Sequence, residues 1–257
     1  MKLEFNRLFP SINFIFFDEI DSTNNYCKYI AEQGFSKTTV IVSDAQTAGR
    51  GTKGRNFYSP KGTGLWFSIL LKPSIPINEL SFLTLLTSVA LNDTLKAFSI
   101  NTAIKWPNDI ILNDRKLSGI LIESKINNNK LLEYVIIGIG INVNLNKEDF
   151  SDELKEKAIS LKIATGKEYD RYEILKLFIF NFENYFNKFI DGNKKFILNK
   201  YKANSFVLNK KVNLKYKDKT KIVIPIDILE DGALLVKDQN SNIEKIVSGE
   251  ISLRVLF

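Results

Sequence analysis

The sequence predicts an α+β protein: a mixed, largely antiparallel sheet with packed helices over residues 1–205, then a small β-barrel over residues 206–257. Three observations carry this expectation. Short β-branched and apolar runs are interleaved with two long stretches of helical spacing, the pattern of a sheet with helices laid on it. Two neighbouring strand-like runs meet at Asn127-Asn128-Asn129, a turn sequence that makes them a hairpin and the sheet mainly antiparallel. After about Phe206 the helical spacing gives way to short β-rich runs broken by turn residues.

Phe14 to Phe17 reads as the first strand, and Ser22-Thr23-Asn24 supplies N-cap residue types for a helix that Gly34 stops. Thr39–Val42 is β-branched and extended. Ala48–Thr63 holds four glycines, a proline and four basic residues, which excludes regular structure and makes it a loop. Leu65–Leu71 resumes as a strand, and Leu80, Leu83, Thr87, Ala90, Leu91, Thr94 and Phe98 share one helix face. Strands follow at Ala103–Lys105, Ile110–Leu112, Lys116–Ile126 and Leu131–Ile141. Helical spacing returns from Tyr169 to Phe189 and in a shorter piece from Phe196 to Tyr201. The barrel runs are Lys211–Lys215, Ile222–Leu229, Ala233–Val236 and Ile243–Val247, with Asp231-Gly232 and Asn240-Ser241-Asn242 as turns.

Composition removes whole classes of chemistry. The chain has no histidine and a single cysteine, Cys27. Ser-His-Asp and Cys-His nucleophile pairs, cysteine metal clusters and intrachain disulfides are therefore out of reach. Catalysis has to run on Lys, Arg, carboxylates, backbone amides and a hard cation such as Mg²⁺. No apolar run approaches the ~20 residues that cross a bilayer, and the first residues lack a signal-peptide pattern, so a cytoplasmic protein without membrane contact is expected. The net charge of +7 fits a lysine-rich solvated surface, a site for anionic phosphates or a nucleic-acid partner.

Three short segments could carry chemistry. Gly49-Arg50-Gly51-Thr52-Lys53-Gly54-Arg55 combines glycines, which let a ligand approach the backbone, with cations that match phosphate oxygens. By composition it is an anion cradle, a solvated turn or a nucleic-acid contact; it is not a P-loop, because no Gly-Lys-Ser/Thr follows. Lys105-Trp106-Pro107-Asn108-Asp109 brings a cation, an indole, a rigid turn and a carboxylate together; it is either a packed turn or a place where Asp109 meets Mg²⁺ on a nucleotide. Lys116 opens a strand, where a long cation either snorkels or reaches an acyl phosphate. Gly138-Ile139-Gly140 marks a strand against whose backbone something packs, and Asn142 and Asn144 then present amides able to meet a base edge.

Taken in order, Ser22-Thr23-Asn24, Gln46, the Gly49–Arg55 loop, Ser59-Pro60, Lys105–Asp109, Lys116-Leu117-x-Gly119-Ile120-Leu121, Gly138-x-Gly140-x-Asn142 and Gly249–Arg254 resemble the biotin-protein ligases from about Phe14 to the C-terminus. The resemblance implies a class II aminoacyl-tRNA synthetase-like catalytic fold with an SH3-like C-terminal domain. It implies that biotin and MgATP form biotinyl-5′-AMP, and that a lysine of a biotin carboxyl carrier domain, from acetyl-CoA carboxylase or another biotin-dependent carboxylase, then takes the biotinyl group. Ser22, Thr23, Asn24, Gln46, Arg50, Gly51, Thr52 and Lys116 would contact biotin. Arg50, Arg55, Phe57, Asn142 and Arg254 would contact ATP or the adenylate. Lys116 and Arg50 would be catalytic, and Asp109 would hold Mg²⁺.

The resemblance is to the form without an N-terminal DNA-binding domain, since 13 residues before Phe14 are too few for a three-helix reader; no sequence-specific DNA binding is expected, and a homodimer is left open. Thr52 and Lys53 stand where the family's loop carries a further arginine, and Phe57 where it carries tryptophan. A looser hold on biotinyl-5′-AMP follows from the missing guanidinium. The rival readings are a lipoate- or octanoyl-transferring relative and a basic nucleic-acid-binding module.

Overall fold

The computed structural model describes residues 2–35, 37–129, 131–216, 219–247 and 250–252. In chain order the first elements are α1 (Lys2–Leu8), β1 (Asn13–Phe17), α2 (Thr23–Glu32), β2 (Thr39–Ser43), β3 (Leu65–Leu71) and α3 (Leu80–Ala97). Next come β4 (Ala103–Lys105), β5 (Asp109–Leu112), β6 (Arg115–Ile126), β7 (Leu132–Ile141), α4 (Asp152–Lys155) and α5 (Leu161–Thr165). The last are α6 (Arg171–Ile190), α7 (Lys194–Ala203), β8 (Val212–Tyr216), β9 (Lys219–Ile228), β10 (Leu234–Asp238), β11 (Ile243–Ile246) and β12 (Glu250–Ser252). The mixed, largely antiparallel α+β architecture expected from the sequence is the one observed. The chain forms two compact units, Met1–Ile77 with Leu112–Ile179 and Asn78–Ile111 with Phe180–Phe257.

In the first unit the strands lie in the order β1-β2-β3-β7-β6. β1 and β2 run parallel because α2 carries the chain back between them; the other neighbours are antiparallel. Every residue of β2 and β3 is buried, as strands covered on both faces must be. One cover is α2, whose Cys27, Ile30 and Ala31 pack with Ile41, Leu70 and Ile136. On the opposite face Phe178 of α6 meets Phe67 edge-on at 5.2 Å between ring centroids. The short helix α1, absent from the sequence expectation, is held by Phe5, which is fully buried against Phe14. Seven residues give too little periodicity to reveal it.

The second unit contains the β4–β5 hairpin, α3, α7 and a five-stranded antiparallel sheet ordered β11-β10-β9-β8-β12. β8 to β11 form a meander, and β12 returns to pair beside β8. The buried Trp106 donates from Nε1 to the Gly232 carbonyl at 2.9 Å, and Tyr201 donates to the Pro107 carbonyl at 3.1 Å. These bonds fix the turn that bears Asp109. Burial also pushes the Tyr201 phenol well up from its usual range, with Asp109 adding to the effect.

Candidate active site

Three rungs across the first unit's sheet show how the site is floored. Directly opposed residues share a face, which groups Leu70, Ile136 and Glu123 on one rung, Ser68, Gly138 and Leu121 on the next, and Trp66, Gly140 and Gly119 on the third. The first rung meets the apolar side of α2. At the other two, side chains give way to glycine, and what packs there explains why. A Cβ on Gly138 would stand 2.2 Å from Asn24 Oδ1; one on Gly140, 2.6 Å from the Phe57 ring; one on Gly119, 2.9 Å from Lys116 Nζ. Gly138 and Gly140, expected to admit something against the backbone, admit Asn24 and Phe57; Gly119 does the same for Lys116.

Above the Ser68 rung lies a buried polar network. Ser68 Oγ is 2.6 Å from Asn24 Oδ1 and 2.7 Å from Thr23 Oγ1. Gln46 Oε1 accepts from the Thr23 amide at 2.9 Å and from its hydroxyl at 3.1 Å, while Gln46 Nε2 donates to Ser59 Oγ at 2.9 Å. Ser59 in turn donates to the Phe57 carbonyl at 2.9 Å. Thr23, Asn24, Ser59 and Ser68 are each at most 4% exposed, so their mutual bonds replace lost water. At the rim Arg50 Nη1 donates to Asn25 Oδ1 at 3.0 Å and Nη2 pairs with Glu123 Oε1 at 2.8 Å.

The Gly49–Phe57 segment is a tight hairpin. The Phe57 amide donates to the Gly49 carbonyl at 2.8 Å and the Gly51 amide to the Arg55 carbonyl at 2.7 Å. A Cβ on Gly49 would meet the Phe57 carbonyl at 2.3 Å, so only glycine closes it. Thr52 opens a single 3-10 turn at the tip, with Lys53 in the left-handed region at φ 58°. Thr52 and the Arg55 side chain are exposed. Phe57 reaches back over the glycine floor, edge-on to Trp66 at 5.8 Å, and Lys116 Nζ lies 5.9 Å from the Phe57 ring centre. The strand start bearing Lys116 is tied down by backbone bonds to Lys157 and Ile159.

The sequence expectations thus divide. Thr23, Asn24, Gln46, Arg50, Phe57 and Lys116 all lie on the first unit's glycine-floored face. Ser22 takes the extended N-cap conformation and is buried, but its side chain does not cap α2. Asn142 is buried, with its amide Nδ2 donating to the Ile159 carbonyl at 3.2 Å. Asp109 opens β5 in the second unit, and Arg254 lies outside the described residues. Ser68, Asn25 and Glu123 were not foreseen, and Ser59 was named only as part of the Ser59-Pro60 motif, without a role. A hydroxyl inside the otherwise apolar run Leu65–Leu71 was the available signal for Ser68, and an acidic residue closing Gly119–Glu123 the one for Glu123.

An α+β sheet of this order with a basic glycine hairpin on its face defines a protein-modifying ligase: residues 16–142 match the Biotin/lipoate A/B protein ligase family, and residues 207–254 match the Biotin protein ligase C terminal domain. The Bifunctional ligase/repressor BirA of Bacillus subtilis is 36% identical over 242 residues, covering 93% of this chain and 73% of that protein. Its Escherichia coli counterpart is 30% identical over 91% of this chain and 72% of its own length. A structure of biotin protein ligase from Aquifex aeolicus in complex with biotin and ATP superposes with a TM-score of 0.80 at 33% identity, covering 95% of this chain and 99% of that one. The chain belongs to the biotin protein ligase family.

Proposed function

We propose that this chain activates biotin with ATP as biotinyl-5′-AMP and transfers the biotinyl group to a lysine of a biotin carboxyl carrier domain. The observation that carries the reading is the meeting of Lys116 and Phe57 over Gly119 and Gly140, beside the Thr23–Asn24–Gln46 network. That network offers a buried, directional set of polar groups for a small neutral head group, while Lys116 supplies positive charge for an acyl phosphate.

In the first step a carboxylate oxygen of biotin bonds to the α-phosphorus of ATP as the bond to pyrophosphate breaks. In the second, the neutral amine of the acceptor lysine attacks the acyl carbon, the amide forms, AMP departs with the electron pair and the amine proton passes to solvent. Negative charge builds on the transferring oxygens both times, and Lys116 stabilises it electrostatically without a covalent intermediate. Arg50 is proposed to share this role at the rim, with Gly51 and Thr52 in the loop over the substrate. Phe57, Arg55 and Asn142 are proposed to contact the adenylate, Asn142 through its amide oxygen. Mg²⁺, when bound, neutralises phosphate charge. Among the described residues no group of three or more acidic or cysteine side chains is placed to hold a metal ion, and a nucleotide-bound Mg²⁺ asks for only one or two carboxylates besides phosphate; Asp109 is proposed as one of them. Residues 206–257 are proposed as a separate domain, with Arg254 addressing nucleotide or acceptor; the family match over residues 207–254 supports this division.

The test is transfer of labelled biotin to a carrier domain, with and without ATP. Transfer that depends on ATP is expected; lipoate transfer in its place would assign the chain to the other branch of the matched family.

A further inference from the structure

We propose that Glu123 is a positioning residue that sets the hydrogen-bond direction of the biotin-binding network and anchors Arg50 at its rim. The inference rests on the biotin-activating reading above. An ionised carboxylate only accepts hydrogen bonds. Glu123 Oε2 takes one from Asn24 Nδ2 at 2.8 Å, and Oε1 pairs with Arg50 at 2.8 Å. Glu123 therefore bridges two residues expected to touch biotin, one from α2 and one from the glycine hairpin.

The bridge propagates. An asparagine amide has nearly the same shape when flipped, so something must decide which end faces inward. With Nδ2 committed to Glu123, Oδ1 faces Ser68 Oγ at 2.6 Å and takes its hydroxyl hydrogen. Ser68 can then only accept from Thr23, and Thr23 gives its own hydrogen either to Ser68 or to Gln46 Oε1. Because Gln46 Oε1 also accepts from the Thr23 amide, its Nε2 must point to Ser59. Each hydroxyl hydrogen is spent inside the protein, which leaves oxygen lone pairs for an N–H-bearing ligand such as a cyclic urea. Reverse the Asn24 amide and the Asn24–Ser68–Thr23 part of this order inverts, while Gln46 stays fixed by the Thr23 amide. Arg50 is held independently, by Glu123 on one nitrogen and Asn25 on the other.

The test is calorimetric titration of the full-length protein with biotin, together with steady-state kinetics, for wild type, Glu123→Gln, Asn24→Ala and the double variant. In Glu123→Gln the near-isosteric amide confronts Asn24 Nδ2 or Arg50 with a donor. The Kd and KM for biotin are expected to rise about tenfold, the scale of one charge-assisted hydrogen bond, with the KM for ATP within about threefold and kcat lowered several-fold by the loss of one of Arg50's two anchors. In the Asn24→Ala background the same change should raise the biotin Kd by no more than about threefold, because the group it orients is gone and only the loosening of Arg50 is left. Unchanged biotin affinity in Glu123→Gln, equal loss in both backgrounds, or a fall confined to kcat would overturn the inference. If Glu123→Gln does not fold, Glu123→Asp, one methylene too short to span both partners, should shift biotin affinity in the same direction, and wild-type affinity there would overturn it. Failure of wild type to bind biotin would overturn the biotin-activating reading itself.

Discussion

Ile136 and Gly138 stand two residues apart on β7, face the same helix, and do opposite things. At Ile136 the strand meets Cys27, Ile30 and Ala31 and makes a dry apolar seam, in which burial pushes the Cys27 thiol up from its usual range. One rung further, roughly 7 Å along the strand, Gly138 meets the first turn of the same helix, where Thr23 and Asn24 are just as buried. The apolar rung stabilises through area removed from water, about 1.5–3 kcal/mol for a fully buried isoleucine. The glycine rung gives up that area so that an amide can sit against the strand with a hydrogen bond on both its oxygen and its nitrogen. One helix–strand pair thus holds the fold together at one end and, at the other, carries the polar network proposed to bind biotin.

Substitutions can separate the two ends. The largest effect is expected at the cation beside the glycine floor: Lys116→Ala should lower both adenylation and transfer by about a hundredfold or more with the melting temperature little changed. Gly138→Ala drives a methyl into Asn24 Oδ1 and should raise the KM for biotin about tenfold, leaving the KM for ATP within about twofold. Thr52→Arg adds a guanidinium at the hairpin tip and should slow release of biotinyl-5′-AMP, measured without acceptor, by a few-fold, roughly one exposed ion pair's worth. Ile136→Ala should have the smallest effect on catalysis, within about twofold below its melting point, yet reduce stability by about 2–5 kcal/mol in urea titrations. Reversal of the two β7 behaviours, with Gly138→Ala silent in binding and Ile136→Ala altering it, would dissolve the distinction.

The same contrast explains what could be read from the sequence. β3 was expected at the residues where it lies, and α2, α3, α6 and β4 to β7 fall within a few residues of expectation, because each carries a strong period or a hairpin turn. Gly138 and Gly140 announced a close approach, but their occupants, Asn24 and Phe57, lie far away in the chain and are set only by tertiary packing. For the same reason the parallel pairing of β1 with β2 was not visible, since neither strand's own residues name its neighbour. Glu123 escaped because an acidic residue toward the end of a strand that leads into an exposed turn looks like ordinary surface. Its partners Arg50 and Asn24 are what give it meaning. Asn142 was legible as an amide at a strand end, but not the Ile159 carbonyl that holds it.

The central claim is that the glycine-floored face activates biotin with ATP. It is tested most directly by exchange of labelled pyrophosphate into ATP by the wild-type protein, with biotin or lipoate as the acid. The account predicts exchange that requires biotin and is not supported by lipoate. Exchange driven by lipoate, or none with biotin while the protein is folded, would contradict it.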